Sequence, residues 1–461
     1  MQIRTFAVLP VLFLYLAACT GNPQEEGSVR LQQPDPEITE MVTRISEDSL
    51  EATIETLAGF GTRHTFSETR SDTFGIGVAR RWIRSKMDQY SRESGGRLLV
   101  EDHRFIHQPT PHIPDSAEIV NIVATLPGSD PADDRIFVIS AHYDSRASQM
   151  MDAESEAPGA NDDASGMAAL MEIARVMSHY NFSATLVFLA VAGEEQGLIG
   201  SREWSGEAAR EGKRIAGMIT NDIIGNHRSG KGKLSASSTV RLFAGGPGPH
   251  NRMGMETARF LQTGGENDMP TRQFARTIKE TAESYQQDMD VWLIYRADRY
   301  LRGGDHFAFL EHGYPAVRMS EPNEDFRHLH QNVRVENGVQ YGDLPQFVDV
   351  SYVKKVTGVN LSAMANLARS PLPPENVGMN ISQYGSGTNL RWGESPSDHV
   401  DQYEVLWRET TSPVWQYRES VGDKTHFQTD SFSKDNWIFG VRAVSEGGHV
   451  GIPVFPMPFK E

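Results

Sequence analysis

The stretch Leu186-Val-Phe-Leu-Ala-Val-Ala192 runs seven apolar or small residues without a break, and then meets Gly193, Glu194, Glu195 and the glycines 197 and 200. An uninterrupted apolar run of that length, closed by glycine, reads as a strand buried on both faces, which means a parallel strand covered by helices. On open α/β sheets the ligand crevice lies at the C-terminal ends of such strands. Two adjacent carboxylates delivered there repel each other, and they are stable together only if a cation neutralises one and the other can hold a proton. Glu194 and Glu195 therefore point to a base beside a metal ligand.

The flanking sequence supplies a sheet for that strand to join. Leu98 to Phe105, Asn121 to Leu126 and Arg135-Ile-Phe-Val-Ile-Ser-Ala141 read as strands, the last nearly continuous in apolar residues and so central. It ends on His142-Tyr143-Asp144-Ser145. The loop Pro158-Gly-Ala-Asn-Asp-Asp-Ala-Ser-Gly166 opens a long helix, Met167 to His179. Ile215 to Ile224, interrupted by Asn221-Asp222, is strand-like, as are Val240 to Ala244 and Pro315 to Met319. Apolar residues at helical spacing mark Ile38 to Leu57, Phe74 to Tyr90 and Phe347 to Leu367 as covering helices. The expected architecture is α/β, a doubly wound, mostly parallel sheet with helices on both faces. The region from Gly245 to Tyr300 reads only as helices and loops, shaping a pocket or a lid. Arg63 and the group Asp298, Arg299 and Arg302 read as solvated charges.

After Ser370-Pro-Leu-Pro-Pro374 the pattern changes to short alternating strands, Leu390-Arg-Trp392, Tyr403 to Trp407 and Trp437 to Val444, which make a small C-terminal β-sandwich. The N-terminus differs again. Arg4 precedes an apolar run from Phe6 to Ala18 that is too short to span a bilayer and has the form of a secretory signal. Cys19 is the only cysteine, so the chain has no internal disulfide. Residues 20 to about 36, rich in Gln, Glu and Pro, read as a flexible tether. The expected organisation is thus signal 1–18, tether 19–36, an enzyme domain 37–370 and the sandwich 371–461. Lys plus Arg is 44 and Asp plus Glu is 61, a formal charge of −17 that argues against nucleic acid as the partner.

The chemistry is carried by residues at separate strand ends. His142, Asp162, Glu195 and Asp222 can meet in one crevice, and a further histidine comes from Phe326-Arg-His328-Leu-His330-Gln-Asn332. Imidazole and carboxylate ligands without thiolate suit a catalytic zinc. Five ligands exceed the three that one catalytic zinc takes, so two ions sharing a carboxylate are indicated. Taken singly, His142 could merely close a strand, Asp162 cap a helix, Asp222 end a strand and Glu195 sit in solvent.

These motifs, in this order, resemble the co-catalytic di-zinc aminopeptidases, family M twenty-eight of the metallopeptidases, whose relatives include glutamate carboxypeptidases and glutaminyl cyclases. The resemblance covers roughly residues 40 to 370. It implies the zinc exopeptidase fold and two Zn²⁺ per chain, one held by His142 and Asp222, the other by Glu195 and His328, with Asp162 bridging. His330 is the rival to His328. The resemblance further implies Asp144 as the carboxylate that fixes the His142 tautomer, Glu194 as the base, and a cis peptide between Asp162 and Asp163. In several relatives a tyrosine that helps hold the oxyanion precedes the last ligand; here that place falls to Arg327, and Asn332 replaces the usual Asp after the ligand. Gly303-Gly-Asp-His306-Phe-Ala-Phe309 resembles the family's pocket element, with His306 not taken as a ligand.

The expected activity is aminopeptidase hydrolysis of peptides with a free N-terminus. The alternatives are a carboxypeptidase or glutaminyl cyclase of the same fold, or a silent binding protein. Beyond the enzyme domain, the spacing of Pro374, Trp392 and Tyr403 is similar to a fibronectin type III module, with carbohydrate or a protein as its partner. Leu16-Ala-Ala-Cys19 resembles a bacterial lipoprotein signal, which implies a lipid anchor on Cys19 at the cell envelope. Thr20 after the cysteine points to the outer membrane in a host with two membranes, and a plain signal peptide is the alternative.

Overall fold

The computed structural model describes residues 28–460, apart from 111–112, 114–115, 230–234, 248–254 and 383–384. The signal expected over 1–18 and the lipidation expected at Cys19 lie outside the described residues.

Helices α1 (Pro36–Thr43), α2 (Glu47–Ala58) and α3 (Ile76–Glu93) lead into the sheet. The single helical pattern from Ile38 to Leu57 is two helices because Ser46 caps α2, its hydroxyl accepting from Ser49 N at 3.2 Å. Then follow β1 (Leu99–His107), β2 (Ala117–Leu126), β3 (Arg135–His142), α4 (Ala164–Met177), β4 (Thr185–Val191), α5 (Ile199–Arg210) and β5 (Arg214–Asn221). The second half adds β6 (Thr239–Phe243), α6 (Met255–Gln262), α7 (Pro270–Tyr285), β7 (Asp290–Ile294), α8 (His306–Leu310) and β8 (Ala316–Ser320). A short hairpin, β9 (Arg334–Glu336) and β10 (Val339–Tyr341), precedes the long α9 (Val350–Arg369).

The main sheet has eight strands in the order β1-β2-β4-β3-β5-β8-β6-β7. Its centre, β4-β3-β5-β8, is parallel, and antiparallel pairings of β2 with β4 and of β6 with β8 join the flanks. Side chains alternate along the central strands: Phe137, Ile139 and Ala141 of β3 enter the core beneath α2, α4, α7 and α9, while Val138 joins Val187, Leu189 and Met218 under Trp204 of α5 and Phe309 of α8. Burial on both faces explains the continuous apolar runs. Because His142 lies level with Val191, and Asn221 with Met319, four neighbouring strands release their following residues at one edge.

The described residues of 245–300 are not helices and loops alone. They include the edge strand β7 and α7, whose Phe274, Ile278 and Ala282 belong to the main core. The opposite side of α7 faces the C-terminal module, built from β11 (Glu375–Asn380), β12 (Thr388–Gly393), β13 (Val400–Glu409), β14 (Tyr417–Gly422), β15 (His426–Thr429), β16 (Trp437–Ser445) and β17 (Met457–Phe459). Its two sheets, β15-β12-β11-β17 and β14-β13-β16, enclose Leu390, Trp392, Tyr403, Val405, Phe439 and Val441 as a β-sandwich.

Residues 28–36, expected as the end of a flexible tether, are fixed in the seam between the two parts. Val29 N donates to Trp415 O at 2.9 Å, Leu31 N to Ser284 Oγ at 3.0 Å, and Asp35 accepts from Arg369 Nη1 at 2.9 Å and lies 2.8 Å from His449 Nε2. Val29 and Leu31 pack on sandwich residues that include Leu406, Trp415 and Val444, so the segment is held by apolar burial as well.

The seam also buries charge. Arg442 of β16 grips Glu280 of α7 with two bonds of 2.7 and 2.8 Å and reaches Glu404 at 2.7 Å, and Arg408 and Arg276 share Asp268 at 2.7 and 3.1 Å. Removing one partner of such a group strands the others without solvent. Arg442→Met, which leaves two buried carboxylates, should lower stability by about 3–5 kcal/mol, read as a fall in the denaturation midpoint. An unchanged midpoint would show that water reaches the seam.

Candidate metal centre

The crevice at the strand ends gathers ligands into two groups that share one residue. Ligand atoms of His142, Asp162 and Asp222 lie within 4.8 Å of one another, and so do those of Asp162, Glu195 and His330. Asp162 stands between them: its Oδ1 is 3.1 Å from His142 Nε2 and its Oδ2 is 3.0 Å from His330 Nε2, which is also 3.0 Å from Glu195 Oε1. The peptide between Asp162 and Asp163 is cis.

The last histidine is His330, not His328. The His328 ring lies flat on Phe347, with centroids 3.7 Å apart and planes 9° from parallel, and its Nδ1 faces Asp325 at 3.8 Å. Stacking on a residue 19 positions downstream turns it away, and His330, with φ of 51°, projects into the crevice instead. The residue before the last ligand is therefore Leu329, which has no donor to offer an oxyanion. Arg327 has its guanidinium on Asp325, with Nε at 2.9 Å from Oδ1.

His142 and the loop of Asp162 are held from behind. His142 ends β3, and its Nδ1 lies 3.1 Å from the backbone carbonyl of Asp144, while the Asp144 carboxylate is 3.6 Å away. Asp144 thus fixes the imidazole through its main chain, and its carboxylate instead accepts from Glu194 N and Glu195 N at 3.3 and 3.2 Å. Asp163 caps α4 through Gly166 N at 3.1 Å and also accepts from His142 N at 3.1 Å, tying the metal loop to β3. Asp343 accepts from Asn161 N at 2.9 Å and Asp162 N at 2.7 Å. Burial pushes Asp343 up to about 7, against the hydrogen bonds it receives from Asp162 and Asn161.

Arg63 is fully buried rather than solvated. It donates to the carbonyls of Tyr143, Leu57 and Gly159 at 2.7, 2.9 and 2.9 Å, and also to Pro158, clamping the loop that carries Asp162. Asp298 and Arg299 are not solvated either. Asp298 lies 3.0 Å from both Arg299 Nε and Arg318 Nη1, and Arg318 Nη2 is 2.8 Å from Asp222 Oδ1. Arg302 reaches Glu324 at 3.3 Å. His306 is in neither ligand group. Its Nε2 lies 2.8 Å from Ala297 O, and burial, opposed by Asp298, pushes it down to about 4, so it is a neutral internal donor. Asp305 beside it is buried with neither oxygen hydrogen-bonded, and burial raises it to about 7 against the pull of His142.

The charges call for a cation. Burial alone would raise Asp162, but its contacts with His142 and His330 hold it well below the ordinary carboxylate range. Burial would lower His330, yet Glu195 and Asp162 raise it to about 10. Protons on imidazole thus stand in for the positive charge that the acids require. His142 Nε2 and Glu195 Oε1 are buried and, despite the short distances above, have no hydrogen-bond partner. Lone pairs that converge without pairing, in an N/O set free of thiolate, fit zinc. Half-buried Glu194 belongs to neither group; burial raises its pKa well above the usual value, the Asp222 and Glu195 charges adding to the effect and His142 opposing it.

Residues 121–344 match the profile of Peptidase family M28. A probable zinc metalloprotease of Leptosphaeria maculans is 44% identical over 425 residues, covering 92% of this chain and 98% of that relative. Among solved structures, the LapA aminopeptidase of Legionella pneumophila superposes with a TM-score of 0.50 at 17% identity, covering 78% of this chain and 79% of that one. A glutaminyl cyclase of Macrostomum lignano gives 0.50 at 15% identity over 75% and 97%. At such identities the two structures speak for the fold alone. The expected bacterial envelope lipoprotein does not hold: relatives that cover 92–93% of this chain come from Leptosphaeria, Pyrenophora and Pyricularia, which are fungi.

Proposed function

This chain belongs to Peptidase family M28, and from that premise we propose that it is an aminopeptidase that uses two zinc ions to hydrolyse the first peptide bond of substrates with a free N-terminus. Its coarser character, a zinc metalloprotease, follows from the family and from relatives of that description. The observation that supports two ions is Asp162, one carboxylate shared by two candidate ligand groups. His142 and Asp222 would hold one ion and Glu195 and His330 the other. When bound, the ions would supply Lewis acidity to the scissile carbonyl and lower the pKa of water.

The protein's own residues do the proton work. Glu194, free of both ligand groups and anchored through its backbone N–H on the Asp144 carboxylate, would take the proton from water and return it to the leaving amine. A raised pKa suits that cycle, since a carboxylate that accepts a proton readily can also hold it until the amine leaves. Arg63, Asp163 and Asp343 keep the Asp162 loop in place while substrate binds and leaves.

The test is hydrolysis of aminoacyl-anilides by purified protein. We expect activity that a chelator abolishes and zinc restores, two zincs per chain at full activity, and refusal of the same substrates once their amine is acetylated. Cleavage from the C-terminal end, or cyclisation of N-terminal glutamine with a single zinc, would replace this reading with a carboxypeptidase or a glutaminyl cyclase.

A further inference from the structure

One buried cation beside the ligands has no part in the reaction as described. Arg318 of β8, its side chain 1% exposed, places Nη2 2.8 Å from Asp222 Oδ1, and Nη1 3.0 Å from Asp298 Oδ2 and 2.7 Å from Gly303 O. Asp298 does not belong to Arg318 alone, because Arg299 Nε lies 3.0 Å from its other oxygen. Among the described residues the second ligand group has no guanidinium as near or as deeply buried. The guanidinium near Glu195 is that of Arg146, 3.8 Å from Oε2 on a side chain that is partly exposed.

A guanidinium bonded to a carboxylate draws off negative charge that the carboxylate would give a metal, and it repels a dication directly. Both effects are strong where water is excluded and weak where it is not. The same bond fixes which way Asp222 faces, as outer partners of metal ligands do. Arg318 thus orients one ligand and at the same time discounts it.

We propose that Arg318 is a positioning residue that makes the two zinc sites unequal: the ion held by His142 and Asp222 is bound more weakly and exchanges, while the ion held by Glu195 and His330 stays. Free zinc would then govern how much of the protein carries both ions. The inference rests on the two-ion reading above.

The experiment follows zinc content of the purified, fully loaded protein against buffered free zinc, with metal counted directly. In the unaltered protein two release steps should be separated by at least about tenfold in free zinc, a gap that corresponds to about 1.4 kcal/mol. In the paired variant Arg318→Gln with Asp298→Asn, which removes the guanidinium together with the Asp298 charge and leaves Arg299 on Glu324, the gap should shrink to less than about threefold. Arg318→Lys keeps a cation and should keep the gap; if the pair does not fold, Arg318→Gln alone, which should also narrow the gap, serves. His330→Ala, which spares only the His142 and Asp222 site, should bind its remaining ion at the weaker of the two affinities. Two coincident steps in the unaltered protein, or a gap unchanged in the paired variant, would overturn the inference while leaving two ions in place. A protein that never holds more than one zinc would overturn the two-ion reading itself.

Discussion

Glu194→Ala should lower kcat by about 10²–10⁴-fold, the range typical of a lost general base, while zinc content stays that of the unaltered protein. The side chain is in neither ligand group, so its removal takes no donor from the metals. Burial, the largest influence on its pKa, raises it, with His142 opposing. A carboxyl so raised takes up its proton at a higher pH than an exposed one. The unaltered enzyme should therefore lose activity as pH falls and Glu194 becomes unable to accept the proton of water. In Glu194→Ala that acid limb should disappear from the residual rate. Near-normal turnover with zinc retained would remove Glu194 from the mechanism.

The second large effect separates two histidines that sit two positions apart. His330→Ala removes an imidazole 3.0 Å from both Asp162 and Glu195, so one ion should be lost and activity should fall by more than the about 10–100-fold that a supporting residue costs. His328→Ala removes a ring stacked on Phe347, which should cost about 0.5–1.5 kcal/mol of stability beyond the buried area and leave zinc content unchanged. Zinc counting and the denaturation midpoint together decide the matter. The opposite pattern, with zinc lost from His328→Ala, would reverse the assignment.

The contrast shows what a one-dimensional reading can reach. The convergence of His142, Asp162, Glu195 and Asp222 was legible because each lies at a strand end or in the loop beyond it, and strand ends of a parallel sheet meet by construction. The continuous apolar runs gave the centre of the sheet for the same reason. His330 was not legible because the choice depends on Phe347, which reaches back from beyond the β9–β10 hairpin. Arg63, Asp298 and Asp343 escaped too, since their partners lie up to 182 positions away and a charged side chain carries no local sign that it will be buried. The role of Asp144 was legible as a neighbour of His142, but a peptide carbonyl makes the contact, and sequence says nothing of which oxygen turns inward.

The ordered segment 28–36 and the buried ions of the seam bear on how this protein can be dissected. Cutting at the prolines after α9 would not release two free-standing modules: the enzymatic half would expose Glu280 and Asp268 without Arg442 and Arg408, and the smaller half would bare Trp415 and lose Val29. The C-terminal part is therefore a keystone rather than an appendage, and gene fragments that stop at residue 370 should yield insoluble product.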